Sequence, residues 1–173
     1  MSTELRLIMA AETRIRVGGY NGFSFRDIAR DTGLTNAGVH HHFPTKASLV
    51  ARVAEAYTVR FLDALEAVPP LERPARLAKL FSESLRADGR MCLCGILAAE
   101  SGGLPETVVR AARNFFDAVV GRLAEASDGG VADRGRALSF LAQLEGAALL
   151  ARAYDDVSVF DQATRNLRDL PGQ

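Results

Sequence analysis

Apolar positions recur at three- and four-residue intervals along almost the whole chain, and no stretch sustains the period-two alternation of a half-buried strand. Ala, Leu and Arg dominate and β-branched residues are scattered, so an all-α fold is expected. A first helix is predicted from about Thr3 to Val17 and is stopped by Gly18-Gly19. Tyr20-Asn21-Gly22-Phe23 then reads as a turn that returns two aromatics to the core. Ser24 caps a short helix, Phe25–Asp31, whose Ile28 and Ala29 face inward, and Gly33 breaks it. Thr35 caps a second short helix, Asn36–His42, which Pro44 closes. A long amphipathic helix follows from Lys46 to about Val68, ended by Pro69-Pro70.

The second part of the chain repeats this style at greater length. A helix is predicted over Leu71–Ala87, with Pro74 tolerated in the first turn, and Gly89 and Gly102-Gly103 bracket a short segment, Met91–Ser101. Another helix starts at Pro105 and runs to about Ala126, where Asp128-Gly129-Gly130 ends it. Asp133–Tyr154 and a short Val159–Leu170 complete the set. No internal repeat or low-complexity linker divides the chain. It reads as a three-helix head, residues 1–48, and a helical body, residues 49–173, joined rigidly through Lys46–Val68.

Composition narrows the picture only slightly. Hydrophobic residues make up 48% and charged residues 24%, ordinary values for a globular protein. The apolar runs Leu5–Ala11 and Leu93–Ala99 are too short to cross a bilayer, and no basic segment followed by an apolar one opens the chain, so a cytoplasmic protein without a membrane role is expected. The formal net charge is zero, but its distribution is uneven. Residues 1–60 hold eight Lys/Arg against five acids, and the remainder thirteen against sixteen. A basic head on an acidic body suits a protein that meets phosphate with one end.

The run from Phe25 to Lys46 carries the densest signal. Two very short helices meet at Gly33, and the second opens with small residues, Ala37 and Gly38, that let backbone approach a groove closely. Thr35 and Asn36 project from its N-terminus, where unpaired N–H groups favour phosphate or base acceptors. In this arrangement the second helix enters the major groove with its first turn near base edges. The residues from about Glu12 to Leu49 resemble the N-terminal domain of the TetR family of repressors. The shared features are Gly-Tyr-x-Gly-Phe-Ser, the Asp-Ile-Ala of the supporting helix, Gly-Leu-Thr at the turn, and Ala-Gly-Val-His-His-His-Phe-Pro-Thr-Lys through the recognition helix.

The resemblance implies phosphate contacts from Thr35, His40 and Lys46, and base or sugar contacts from Asn36, Ala37, Gly38 and His41. It adds backbone contacts from Ser24 and Phe25 at the start of the supporting helix. His40 and His42 stand where the family most often has Tyr, so a phosphate contact from His40 is expected to be weaker or pH-sensitive. His42 is expected to pack against Phe43 and the first helix. The three consecutive histidines do not make a metal site, because successive helical side chains point ~100° apart and cannot converge on one ion.

In the body, Phe81, Leu85, Phe115, Phe116, Val119, Leu141 and Leu149 either fill core or line a cavity between helices, where bundles bind ligands. Glu145 lies mid-helix in an apolar run beside Gln143, so it is either an interface residue or a pocket anchor. Met91-Cys92-Leu93-Cys94-Gly95-Ile96-Leu97-Ala98-Ala99-Glu100, followed by Gly103-Leu104-Pro105, resembles a TetR subgroup with a mid-chain Gly-Cys-Leu segment before a Leu-Pro turn. That subgroup includes regulators of reactive-electrophile and small unsaturated acid metabolism, and the cysteine matching Cys92 is reactive in some of them. Met91 stands where that subgroup usually has Gly, and Cys94 has no standard counterpart. Cys92 is therefore read either as a sensor thiol or as an inert packed one.

The two cysteines form no disulfide framework, and no paired Cys or His completes a metal site with them. All three histidines lie at positions 40–42, leaving Cys92 without a catalytic base, so an enzyme is not expected and neither is a cofactor. The expected protein is a ligand-responsive repressor, released from a palindromic double-stranded DNA operator by a small-molecule effector. The alternative is a thiol-switch repressor that senses electrophiles or oxidants through Cys92. The resemblance further implies a homodimer built from the last two helices, with Gly146 among Ala142, Ala147 and Ala148 allowing close approach.

Overall fold

The computed structural model describes residues 1–125 and 134–167, and all regular structure among them is helical. Two compact units emerge: Met1–Thr58 with Leu93–Phe115, and Val59–Cys92 with the residues from Phe116 onward. Two of the three chain boundaries fall inside continuous helices, Lys46–Glu66 and Glu106–Ala124, and the third lies between Cys92 and Leu93.

The first unit opens with α1, Thr3–Gly18, whose N-cap Ser2 accepts from the Leu5 N–H and whose Leu7, Ile8, Ala11 and Ile15 form the buried stripe. Gly19, at φ +71°, ends it by donating its N–H to the Ile15 carbonyl. A 3-10 turn, Tyr20–Gly22, leads to α2, Phe25–Thr32, which begins in a reciprocal capping box between Ser24 and Asp27. Gly33 closes α2 in the left-handed conformation that a glycine adopts without strain. Next come α3, Asn36–His42, capped by Thr35, and α4, Lys46–Glu66, where Thr45 and Ser48 exchange side-chain-to-backbone hydrogen bonds at the start. From later in the chain this unit takes α6, Leu93–Ala99, and the first part of α7, Glu106–Ala124. Leu93, Cys94, Leu97 and Phe115 are fully buried there, and each apolar side chain of this kind contributes about 1.5–3 kcal/mol by leaving water.

The second unit holds the end of α4, then α5, Arg73–Asp88, the rest of α7, α8, Arg134–Tyr154, and α9, Val157–Ala163. Its core is drawn from Leu77, Phe81, Leu85, Leu144 and Phe160. The helix α5 starts at Arg73 rather than Leu71, because Pro70–Glu72 forms a 3-10 turn and Pro74 takes the first helical turn. Likewise α6 is shorter than the predicted Met91–Ser101, since Ser101–Gly103 turns as 3-10. Asp156 accepts from the Ser158 N–H and so starts α9 two residues before the predicted Val159. The predicted stop at Asp128-Gly129-Gly130, the helix ends at Ala126 and Leu170, and the start at Asp133 lie outside the described residues.

Candidate functional site

The helix-turn-helix is held by contacts that leave one face of α3 open. Val39 is fully buried and Phe43 nearly so, fixing the inward side of α3. Asn36, Ala37, His40 and His41 are exposed on the other side, and Gly38 is half-buried. Thr35 Oγ1 accepts the Gly38 N–H at 3.0 Å, satisfying one of the unpaired donors at the helix start, and a Cβ at Gly38 would lie 3.3 Å from that oxygen. The His40 ring meets the buried Phe25 ring edge-on at 4.7 Å, so Phe25 supports the reading helix from below.

His42 departs from expectation. It is exposed and stacks edge-on against His41 at 5.6 Å, because Val39 and Phe43 already occupy the inward positions.

The supporting helix α2 is braced against α1. Arg14 makes a bidentate pair with Asp31, at 2.7 and 2.8 Å, and Arg6 donates to the Thr32 carbonyl. The Arg14 hydrogen bonds hold the Asp31 carboxyl below its usual pKa, and the Ser24 hydroxyl does the same for Asp27. Ser24 is exposed, with its hydroxyl donating to Asp27 Oδ2 at 2.7 Å. Lys46 turns inward: its Nζ donates to the Phe23 carbonyl at 2.5 Å and sits over the rings of Tyr20 and Phe23, at 4.7 and 4.4 Å. Burial pushes the ammonium pKa down, against the opposing charges of Glu100 and Asp27. Beside this head, in the same unit, an open groove of about 460 Å³ is lined by His42, Thr45, Ser48, Arg52, Arg110 and Asn114.

The candidate sensing residues divide between the units. Phe81, Leu85, Cys92, Phe116, Leu141 and Glu145 lie in the second, whereas Phe115 lies in the first, against Tyr57 at 5.5 Å. Phe81, Leu85, Cys92 and Leu141 are buried and Phe116 is half-buried. Leu149 is 56% exposed and fills no core within its own unit, because the buried stripe of α8 passes through Leu144, Ala148 and Ala151 instead. Gln143 is exposed and donates to the Ala163 carbonyl at 2.8 Å, joining α8 to α9.

Both carboxyl oxygens of Glu145 are sealed from solvent without a nitrogen or oxygen partner, and the polar group beside them is the Cys92 thiol. Burial raises the Glu145 pKa to about 7. Neither Cys92 nor Cys94 forms a disulfide, and no group of three or more metal-ligating side chains occurs among the described residues.

The family model of bacterial regulatory proteins, tetR family, matches residues 7–53. A solved transcriptional regulator of the TetR family from Agrobacterium tumefaciens is 31% identical, with a TM-score of 0.87, and the match covers 96% of each chain. This chain belongs to the TetR family. A TetR regulator from Legionella pneumophila is similar at 27% identity and a TM-score of 0.86, over 98% of this chain and 97% of that one. An HTH-type transcriptional regulator of Mycobacterium tuberculosis is 29% identical over 180 residues, 95% of this chain and 92% of the relative. As a TetR-family member the chain is a DNA-binding transcriptional regulator. Ser24 through Lys46 fall inside the matched segment, and Cys92 and Glu145 outside it. No helix among the described residues is long and apolar enough to cross a membrane.

Sequence reasoning missed Glu100, which accepts the Tyr20 N–H at 2.9 Å from eighty residues away. The residue lies within a quoted motif, but no local pattern signals so distant a partner.

Proposed function

We propose that this TetR-family protein is a cytoplasmic repressor that binds a palindromic operator as a homodimer and is released by a small-molecule effector. The reading that residues 1–48 hold DNA rests on the open face of α3, where Asn36, Ala37, His40 and His41 project into solvent while Val39 and Phe43 lock the helix from within. In this reading Asn36, Ala37, Gly38 and His41 face bases or sugar, Thr35, His40 and Lys46 face phosphate, and Ser24 and Phe25 add backbone contacts. The structure supports the Lys46 assignment least, since its ammonium is engaged at Phe23.

Residues 49–173 supply the effector site and the dimer interface. A second copy of the chain is the occupant favoured for the outer side of α8. That helix buries Phe140, Leu144 and Ala148 on one side and still exposes Leu138, Leu149, Leu150 and Tyr154 on the other. A helix apolar on both sides needs two partners, and pairing with a copy supplies the second. The partly apolar set Phe81, Leu85, Phe116, Leu141 and Glu145 is assigned to effector binding, with the Glu145 carboxyl, which has no nitrogen or oxygen partner, as anchor.

A thiol switch at Cys92 is the second reading, favoured by the position of that thiol beside Glu145. Operator-bound protein titrated with candidate metabolites, in wild-type and Cys92→Ser forms, tests both. Release that survives Cys92→Ser supports the non-covalent reading, whereas release lost in Cys92→Ser supports the switch. Failure of every metabolite and electrophile to release DNA would contradict both.

A further inference from the structure

The helix-turn-helix is gripped by a residue that lies outside it in sequence. Glu100 follows α6 directly, and its backbone is held on both sides: its N–H donates to the Ile96 carbonyl, and its own carbonyl accepts from the Gly103 N–H. Leu93, Cys94 and Leu97, all fully buried, seat α6 in the same unit as α1 to α3. From this fixed position the carboxylate reaches the turn between α1 and α2. Its Oε2 accepts the Tyr20 N–H at 2.9 Å. The carboxylate approaches Gly19 so closely that an added Cβ would fall 1.8 Å from Oε1, and the backbone at φ +71° independently favours glycine.

The same carboxylate acts electrostatically on a half-buried cation. The Lys46 ammonium, at the start of α4, is bonded to the Phe23 carbonyl and covered by the Tyr20 and Phe23 rings, and of the two carboxylates that act on it Glu100 has the stronger influence, ahead of Asp27. One side chain thus contacts the turn that leads into α2 and acts electrostatically on the residue that opens α4. The recognition helix α3 lies between those two points in the chain.

We propose that Glu100 is a positioning residue for DNA reading, a clasp that makes the geometry of the helix-turn-helix depend on the placement of α6. This rests on the DNA-binding reading above. It also supplies a route for regulation, because Cys92 is bonded to Leu93, the first residue of α6, and Glu100 follows its last. This seven-residue helix spans about 10 Å between that bond and the clasp.

The test compares wild type, Glu100→Gln and Glu100→Ala on a duplex that the wild-type protein enriches from a random-sequence pool. Three quantities are measured: affinity, the slope of log affinity against log salt, and hydrogen exchange at the Tyr20 amide. Glu100→Gln keeps an acceptor and loses the charge, so about threefold weaker binding is expected. Glu100→Ala loses both, with about tenfold weaker binding or more and Tyr20 exchange accelerated at least as much. The salt slope becomes shallower in Glu100→Ala, because a displaced head makes fewer phosphate contacts. A variant that was merely less stable would keep the slope of its folded fraction. Wild-type affinity and slope in both variants, or unchanged Tyr20 exchange in Glu100→Ala, would overturn the clasp while leaving DNA binding intact. A wild-type protein that enriches no duplex would overturn the DNA reading itself, and the clasp with it.

Discussion

Lys46 donates its ammonium to the carbonyl oxygen of Phe23 at 2.5 Å, so the first residue of α4 is tied to the last residue before the Ser24 cap of α2. A lysine at a helix start beside a DNA-reading helix is ordinarily counted as a phosphate contact, yet this one spends its charge on the protein. Lys46→Met keeps the aliphatic stem and removes the donor, leaving a part-buried carbonyl unpaired. Urea unfolding should show a loss on the order of 1–3 kcal/mol. Unchanged stability, with the salt slope of DNA binding reduced by about one, would instead make Lys46 a phosphate contact.

Glu145 predicts a pH dependence of stability with a definite sign. Its folded-state pKa, about 7, lies above the ordinary carboxyl value of 4.5, so the folded protein holds this proton more tightly than the unfolded chain. Between those values the unfolded state ionises first, and wild-type stability falls as pH rises, by a total on the order of 3 kcal/mol. Below pH 4.5 and above pH 7 this contribution is flat. Glu145→Gln, measured by urea unfolding from pH 4 to pH 8, should lose that fall. A variant with the wild-type profile would show that Glu145 is not the group responsible.

The exposed face of α3 can be changed without touching the fold. Ala37 is exposed and contributes nothing to the core, so Ala37→Glu should leave stability within about 0.5 kcal/mol of wild type. The same change places a negative charge and added bulk where the groove must come close, and should abolish binding to the selected duplex in an anisotropy titration. Thr35→Ala should act differently, costing about 1 kcal/mol of stability through the lost cap as well as affinity. Ala37→Glu protein that binds like wild type would mean that α3 does not read DNA.

The sequence announced the short-range features because their physics is local. The Ser24 and Thr35 caps and the break at Gly33 each need only a few neighbouring residues, and α3 runs over the predicted Asn36–His42. His42 was misjudged because its neighbours on the helix, Val39 and Phe43, consume the inward space, which depends on how closely α2 and α3 approach. Leu149 was misjudged for a related reason: α8 is apolar nearly all round, so periodicity does not tell which side meets its own unit. The contacts of Glu100 with Tyr20 and of Arg14 with Asp31 join residues far apart in sequence and left no local trace. The pairing of Glu145 with Cys92 is of the same kind.

The outer side of α8 carries the prediction for assembly. Leu149 and Leu150 are 56% and 47% exposed, and a charge there costs the monomer little while opposing burial against a second copy. Leu149→Glu should shift the protein to monomer in sedimentation velocity, with its helical circular dichroism retained. A dimer that persists undiminished would place the interface elsewhere.

The central claim is that two copies of this helix-turn-helix read a defined DNA sequence, and recovery of genomic fragments by the purified protein at low salt tests it most directly. Enrichment of a few fragments sharing an inverted repeat is expected, with half-sites about one helical turn apart or a multiple of it, and with that enrichment lost in Ala37→Glu. Failure to retain duplex DNA at low salt, or retention of fragments with no common sequence, would contradict it.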